Sequence, residues 1–150
     1  MQVVDNNVNK KGANMSESKI KDYKDLKVWQ MALEVACDVI ELVEALPPGC
    51  ARDVISRQMI DSSASVCANI ADGHSSGSNR VFSRILKIAY GKAKATDTLL
   101  HLVKHSKKLA ADGIIDHAEK ISVKNVVVLK MLHSLQAKIK ERFDTKKQES

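Results

Sequence analysis

The stretch Gly73-His74-Ser75-Ser76-Gly77 has the clearest possible link to chemistry, because it matches the GxSxG nucleophile elbow of serine hydrolases. That elbow requires a strand before the turn and a helix after it, which strains the serine and exposes its oxygen. Here a helical pattern precedes the motif, and no HGGG-type stretch is present to form an oxyanion hole. Gly, Ser and Asn are also typical of caps and turns. We therefore interpret the motif as a helix-helix connection and predict that the protein is not an enzyme.

Histidines and cysteines are the next candidates for chemistry. His101 and His105 are spaced so that they share one face of a helix, but the zinc-protease pattern HExxH requires a Glu where this chain has Leu102. The three cysteines at positions 37, 50 and 67 have no CxxC spacing, which argues against a zinc site or a disulfide framework. We expect no metal and no other cofactor.

Length and composition are typical of one globular domain. The chain has 150 residues, of which 44% are hydrophobic and 28% are charged. Its 3% aromatic content disfavours a platform that stacks single-stranded bases. No apolar run approaches the roughly 18 residues that span a bilayer, and the N-terminus lacks a signal-peptide pattern. We predict a cytoplasmic protein.

Apolar residues recur with helical periodicity in four segments, whereas no segment alternates with a period of two. The segments predict helices at about 25–46, 51–72, 79–108 and 114–143. Asp25 is the expected N-cap of the first helix, Gly73 the expected C-terminal cap of the second, and Ser78 or Asn79 the expected N-cap of the third. The short connections predict an antiparallel up-down-up-down four-helix bundle over residues 21–143. Residues 1–20 are expected to be a disordered leader, and residues 144–150 a flexible tail.

The first helix is apolar over more of its surface than one bundle can cover. Its apolar side chains span an arc of about 220°, whereas a stripe of somewhat more than about 100° is enough to face one core. The fourth helix has a second apolar stripe beside its core stripe. We therefore predict a homo-oligomer whose interface contains Trp29, Val123, Val127 and Met131. Asn69, which lies among small residues, is predicted to be a buried hydrogen-bonding residue.

Positive charge is concentrated in the third helix. The net charge of the chain is +6, but residues 76–108 contain eight basic residues and a single acid, Asp97. On a helical wheel, four of these residues fall within about 80° of one another, on the side opposite the core: Arg80, Arg84, Lys87 and Lys94. Such a row can follow the phosphate backbone of RNA or DNA. Two alternatives remain open: a solvated face, or pairing with the acids Glu34, Asp38 and Glu41 of a neighbouring subunit.

Three blocks of sequence resemble the 23S ribosomal RNA intervening-sequence proteins of bacteria. Residues 25–30, Asp-Leu-Lys-Val-Trp-Gln, are similar to that family's D-L-x-V-W-Q, and residues 65–73 are similar to its S-I-P-S-N-I-A-E-G. Phe82, Arg84, Leu86, Ile88, Ala89 and Gly91 resemble its F-x-R-x-L-x-I-A-x-G. The resemblance covers about residues 22–140. It implies a four-helix bundle that assembles into a homopentameric ring, related in fold to the accessory variability determinant of diversity-generating retroelements.

The chain departs from the family pattern at several positions. Ile60 and Asp61 stand where the family commonly has two arginines, and Cys67 replaces a proline. An anion site that depended on those arginines would be weakened here. The function we expect is a non-enzymatic oligomeric module that binds RNA or DNA through the third helix. The alternative is a protein-binding scaffold, such as an accessory subunit of a reverse transcriptase, without a nucleic-acid role of its own.

Overall fold

The computed structural model describes residues 20–149. Within this range the chain forms a short 3-10 helix, Tyr23–Asp25, and four α-helices, and it contains no strand. The α-helices are α1 (Lys27–Ala45), α2 (Cys50–Ser75), α3 (Asn79–His105) and α4 (Asp112–Gln148). The predicted all-α fold is confirmed.

Each helix packs against the next one along the chain, and α1 also packs against α4. The backbones of α1 and α3, and those of α2 and α4, do not come this close together, and the buried side chains of all four helices form one shared core. Burying one large apolar side chain stabilises a fold by about 1.5–3 kcal/mol. The largest fully buried apolar side chains come from all four helices: Val39, Leu42, Met59, Ile70, Leu86, Leu100, Val103, Ile121, Val128 and Leu132.

The start of α1 differs from the prediction. Asp25 is not the N-cap, because it is the last residue of the 3-10 helix and its carboxylate accepts hydrogen bonds from the backbone N–H groups of Lys21 and Asp22, at 3.2 and 3.0 Å. Leu26 takes the N-cap position without a side-chain hydrogen bond. Here the carboxylate stabilises the short helix that leads into α1 instead of α1 itself.

The connection between α2 and α3 contains a second correction. Gly73 does not end α2, which continues to Ser75, and Gly73 is buried inside the helix. The residue with the left-handed backbone is Gly77, whose φ is 69°. A side chain is disfavoured at that angle, so glycine suits the turn. Ser78 then caps α3 as predicted, since its Oγ accepts a hydrogen bond from the Val81 N–H at 3.3 Å.

The other helix ends shift by a few residues. α3 ends at His105, before the predicted residue 108. α4 continues past Phe143 to Gln148, through residues predicted to form a flexible tail. The predicted leader lies outside the described residues apart from Ile20. None of the helices described is both long enough and apolar enough to cross a membrane.

Polar side chains in the core hold α3 in register with its neighbours. Asn125 is 1% exposed, and its Nδ2 donates a hydrogen bond to the carbonyl oxygen of Ala93, at 3.0 Å. The hydroxyls of Ser62 and Thr96 share a hydrogen bond of 2.8 Å between α2 and α3. Asn69, the predicted buried residue, is only half-buried and donates within its own helix to Ser65. Asn125 therefore has the role that we expected for Asn69.

Candidate nucleic-acid interface

The basic strip consists of Arg80, Arg84, Lys87 and Lys94, and all four residues are exposed. They project from α3 on the side away from its buried residues, which include Phe82, Leu86, Ala89 and Ala93. With a rise of about 1.5 Å per residue, the strip extends for about 21 Å along the helix. The structure thus places these four predicted residues in one row that solvent can reach.

The cations of the strip have no carboxylate partners within residues 20–149. Among the residues that the structure describes, none of the four forms an ion pair, and Lys94 instead lies over the ring of Tyr90, with 5.8 Å between its Nζ and the ring centroid. The single acid of this segment, Asp97, lies 3.8 Å from His101. The positive charge of the strip is therefore not neutralised by the acids that the structure describes.

Lys104 and Lys124 differ from the strip because each pairs with acids of its own subunit. Lys104 donates a hydrogen bond to Glu119 at 2.8 Å, and this contact holds the pKa of Glu119 below its ordinary value of 4.5. Lys124 donates to Asp38 at 2.7 Å and lies 3.6 Å from Glu34. The hydrogen bond to Asp38 raises the pKa of Lys124 above 10.5. Glu34 and Asp38 thus have a cation partner within their own subunit, and their pairing with a neighbour's basic strip stays an untested alternative.

Two apolar side chains interrupt the cationic surface. Ile88 is 50% exposed and Leu102 is 51% exposed, and helical geometry places both near the basic strip. Ile88 lies in the block that resembles the family pattern, yet it does not belong to the core. This face of α3 can therefore make apolar contacts as well as contacts with anions.

The predicted interface residues differ in their exposure. Trp29 is half-buried and packs edge-on against Tyr23, with ring centroids 5.2 Å apart, while Met131 is half-buried against the core. Val127 is also half-buried, whereas Val123 is 61% exposed. α1 in addition exposes Leu33 and Ile40 to 41% and 47%. Part of the wide apolar arc of α1 is therefore left uncovered by the described residues of its own subunit.

The residues that suggested hydrolase or metal chemistry occupy ordinary helical positions. Ser75 is the last residue of α2, so a helix and not a strand leads into the GxSxG segment. His74 packs edge-on against Phe82, with ring centroids 5.9 Å apart. The Nδ1 of His105 is hydrogen-bonded to the carbonyl oxygen of His101 at 2.8 Å. In residues 20–149 no group of three or more His, Cys, Asp or Glu side chains is placed to hold a metal ion.

The three cysteines are not bonded to one another. Cys37 and Cys50 are exposed, whereas Cys67 is partly buried in α2. Burial raises the pKa of the Cys67 thiol to about 11, because the thiolate would lose its hydration. Cys67 is therefore a poor nucleophile at neutral pH and acts as a packing residue.

Fold and surface together define an all-α four-helix-bundle protein with one strongly cationic helix face. The model of the 23S rRNA-intervening sequence protein family matches residues 24–144, and the chain belongs to that family. A comparison with curated proteins gave no match. Among solved structures, the chain is similar to a crystal structure from Bacteroides thetaiotaomicron VPI-5482, a protein of unknown function from the S23 ribosomal protein family. The two are 26% identical, with a TM-score of 0.64 over 73% of this chain and 97% of that one.

Proposed function

We propose that this protein is a non-enzymatic, oligomeric module of the cytoplasm that binds RNA or DNA through the basic strip of α3. The observation that carries the proposal is the row of four exposed cations without carboxylate partners among the described residues. The paired state of Lys104 and Lys124 supports it, because the bundle neutralises these cations with its own acids and leaves the strip available.

Binding would use the sugar-phosphate backbone of the nucleic acid. Each cation that meets a phosphate releases condensed counterions into the solvent, and this release gives binding its free energy and its salt dependence. Base stacking contributes little, because no Trp, Tyr or Phe side chain among the described residues is exposed. We therefore expect weak dependence on base sequence and strong dependence on ionic strength.

The same proposal includes an antiparallel up-down-up-down bundle that forms a homo-oligomer. Three contacts between α3 and α4 support the antiparallel direction, because the partner on α4 comes earlier in the sequence as the residue on α3 comes later. Gln136 donates a hydrogen bond to Ser83, Asn125 donates one to Ala93, and Lys104 donates one to Glu119. Exposed Leu33, Ile40 and Val123 support assembly, because a second copy would remove them from water. The resemblance of the sequence to its family favours a pentamer. Several basic strips in one particle would bind a long polyanion with increased avidity.

Salt-dependent binding to a labelled RNA and a labelled DNA duplex tests the nucleic-acid part. Four phosphate contacts per strip predict a slope of about −3 to −4 in a plot of log affinity against log salt concentration. The strip variant, with Gln at positions 80, 84, 87 and 94, is expected to lose most of that slope. A control with the same net charge has Gln at four exposed lysines elsewhere: Lys107, Lys108, Lys138 and Lys140. Equal weakening by both variants, or affinity that does not change with salt, would contradict the proposal.

The second candidate function is a protein-binding scaffold, such as an accessory subunit of a reverse transcriptase. It is favoured by Ile88 and Leu102, since half-exposed apolar side chains beside a cationic row suit an acidic protein surface better than a phosphate backbone. Affinity capture with and without nuclease treatment separates the two candidates. A protein partner that is retained after nuclease treatment, and is lost when Ile88 and Leu102 are changed to Ser, would support the scaffold.

A further inference from the structure

Two surfaces of this chain match each other in polarity and charge. The α4 face consists of Lys120, Val123 and Val127, and the α1 edge consists of Leu33, Ile40, Glu41 and Glu44. On each helix these residues lie on one side, within about 100° on a helical wheel. The α4 face is apolar and positive, whereas the α1 edge is apolar and negative.

Both surfaces are accessible within the subunit. Val123 is 61% exposed, Leu33 is 41% exposed and Ile40 is 47% exposed. Lys120 has no carboxylate partner among the described residues, and Glu41 has no cation partner there. Glu44 lies 3.8 Å from Arg52, yet its side chain remains 78% exposed. The charges of both surfaces are thus available to a partner.

The two surfaces also lie at the same height along the bundle. Lys124, which is between Val123 and Val127 in the sequence, contacts Glu34 and Asp38, and these two acids lie between Leu33 and Ile40. Val123 and Val127 of α4 therefore stand level with Leu33 and Ile40 of α1. Lys120 borders the same groove as Asp38, which places it near the level of Glu41. A second copy standing side by side with the first would bring like levels together.

We propose that the α4 face of one subunit docks on the α1 edge of the next subunit, so that each copy uses two different surfaces. The inference rests on the oligomer of the proposed function and names its mating surfaces. A contact of this head-to-tail kind closes into a ring when the rotation between copies allows it. The apolar side chains supply the burial, and Lys120 opposite Glu41 and Glu44 at the rim sets the register and excludes like-charged pairings.

Charge reversal of the full-length protein, followed by sedimentation velocity at micromolar concentration, tests the docking. K120E and E41K/E44K each place like charges opposite each other, so each is expected to raise the concentration of half-assembly by more than about tenfold. The variant that combines K120E with E41K/E44K restores opposite charges and is expected to assemble like the unaltered chain. K107E/K108E serves as the control, because it reverses two exposed lysines outside both surfaces. Circular dichroism confirms that each variant is folded.

The outcomes separate the docking from the oligomer itself. The docking is supported when K120E and E41K/E44K both lose assembly and the variant that combines them recovers it. The docking is overturned, while the oligomer stands, when the unaltered chain assembles but K120E and E41K/E44K assemble equally well, or when the combined variant stays dissociated. A monomer at micromolar concentration overturns the oligomer and the docking together.

Discussion

Gly73 of α2 lies directly against Phe82 of α3. A Cβ atom built on Gly73 would stand 2.7 Å from the Cδ2 of Phe82 and 3.2 Å from two side-chain atoms of Ile85. Real Cβ atoms do not approach so closely, so only glycine allows the two helices to pack at this spacing. The turn of Gly77 and the cap at Ser78 follow immediately and place the first residues of the basic strip.

The Gly73→Ala variant is therefore expected to be destabilised by about 1–3 kcal/mol, since the new methyl group forces Phe82 or the helices to move. The matched control is Gly91→Ala, because Gly91 lies inside α3 with nothing within 4 Å of a built Cβ. That change is expected to stabilise the protein by about 0.4–1 kcal/mol, through reduced backbone freedom in the unfolded chain. Denaturant unfolding monitored by circular dichroism measures both values. Equal effects of the two substitutions would disprove the close packing.

A second prediction compares the two asparagines. Asn125→Ala removes the donor to the Ala93 carbonyl oxygen and leaves space in the core, so we expect a loss of about 1–3 kcal/mol in the free energy of unfolding. Asn69→Ala removes only a hydrogen bond within α2, from a side chain that is half-buried, and is expected to cost less than about 1 kcal/mol. Denaturant unfolding measures both values. A larger loss of unfolding free energy for Asn69→Ala than for Asn125→Ala would contradict our assignment of Asn125 as the buried polar residue.

Cysteine alkylation gives a third prediction. Since burial raises the pKa of Cys67 to about 11, its thiolate fraction near pH 8 is about a hundredfold lower than that of a thiol with the ordinary value of 9.0. Cys37 and Cys50 are exposed, and we expect both to react with iodoacetamide well before Cys67. Peptide mass spectrometry over a time course measures the three rates. Cys67 reacting as fast as Cys50 in the folded protein would count against the packing of α2 that buries it.

The Lys104–Glu119 contact predicts how one contribution to stability depends on pH. The pKa of Glu119 is lower in the folded chain than its ordinary 4.5, so the pair stabilises the fold above that pH and the contribution is lost as the pH falls through the folded value. Glu119→Gln is expected to lower Tm slightly at pH 7 and to have no effect well below pH 4. The pair is exposed at Glu119, so the change at pH 7 is expected to be small. A Tm difference that persists in strong acid would refute the assignment.

Periodicity alone was enough to predict the four helices, because each segment has enough apolar residues on one side to require burial there. The cap at Ser78 followed from local chemistry, since a serine hydroxyl can reach the N–H three residues later wherever the chain turns into a helix. The prediction from local chemistry was wrong at Gly73, because a glycine is compatible both with the end of a helix and with close packing between two helices. The choice depended on Phe82, a residue of another helix.

The sequence by itself determined that this protein is an all-α bundle with a one-sided basic third helix, because helical spacing decides which side chains of one segment share a face. Only the tertiary structure decided which of those charges are neutralised and which apolar residues stay uncovered. Lys124 meets Asp38 across 86 positions of sequence, while Arg84 meets no carboxylate among the described residues. Ion pairs and burial depend on distances between helices, and those distances are set by the packing of the core as a whole.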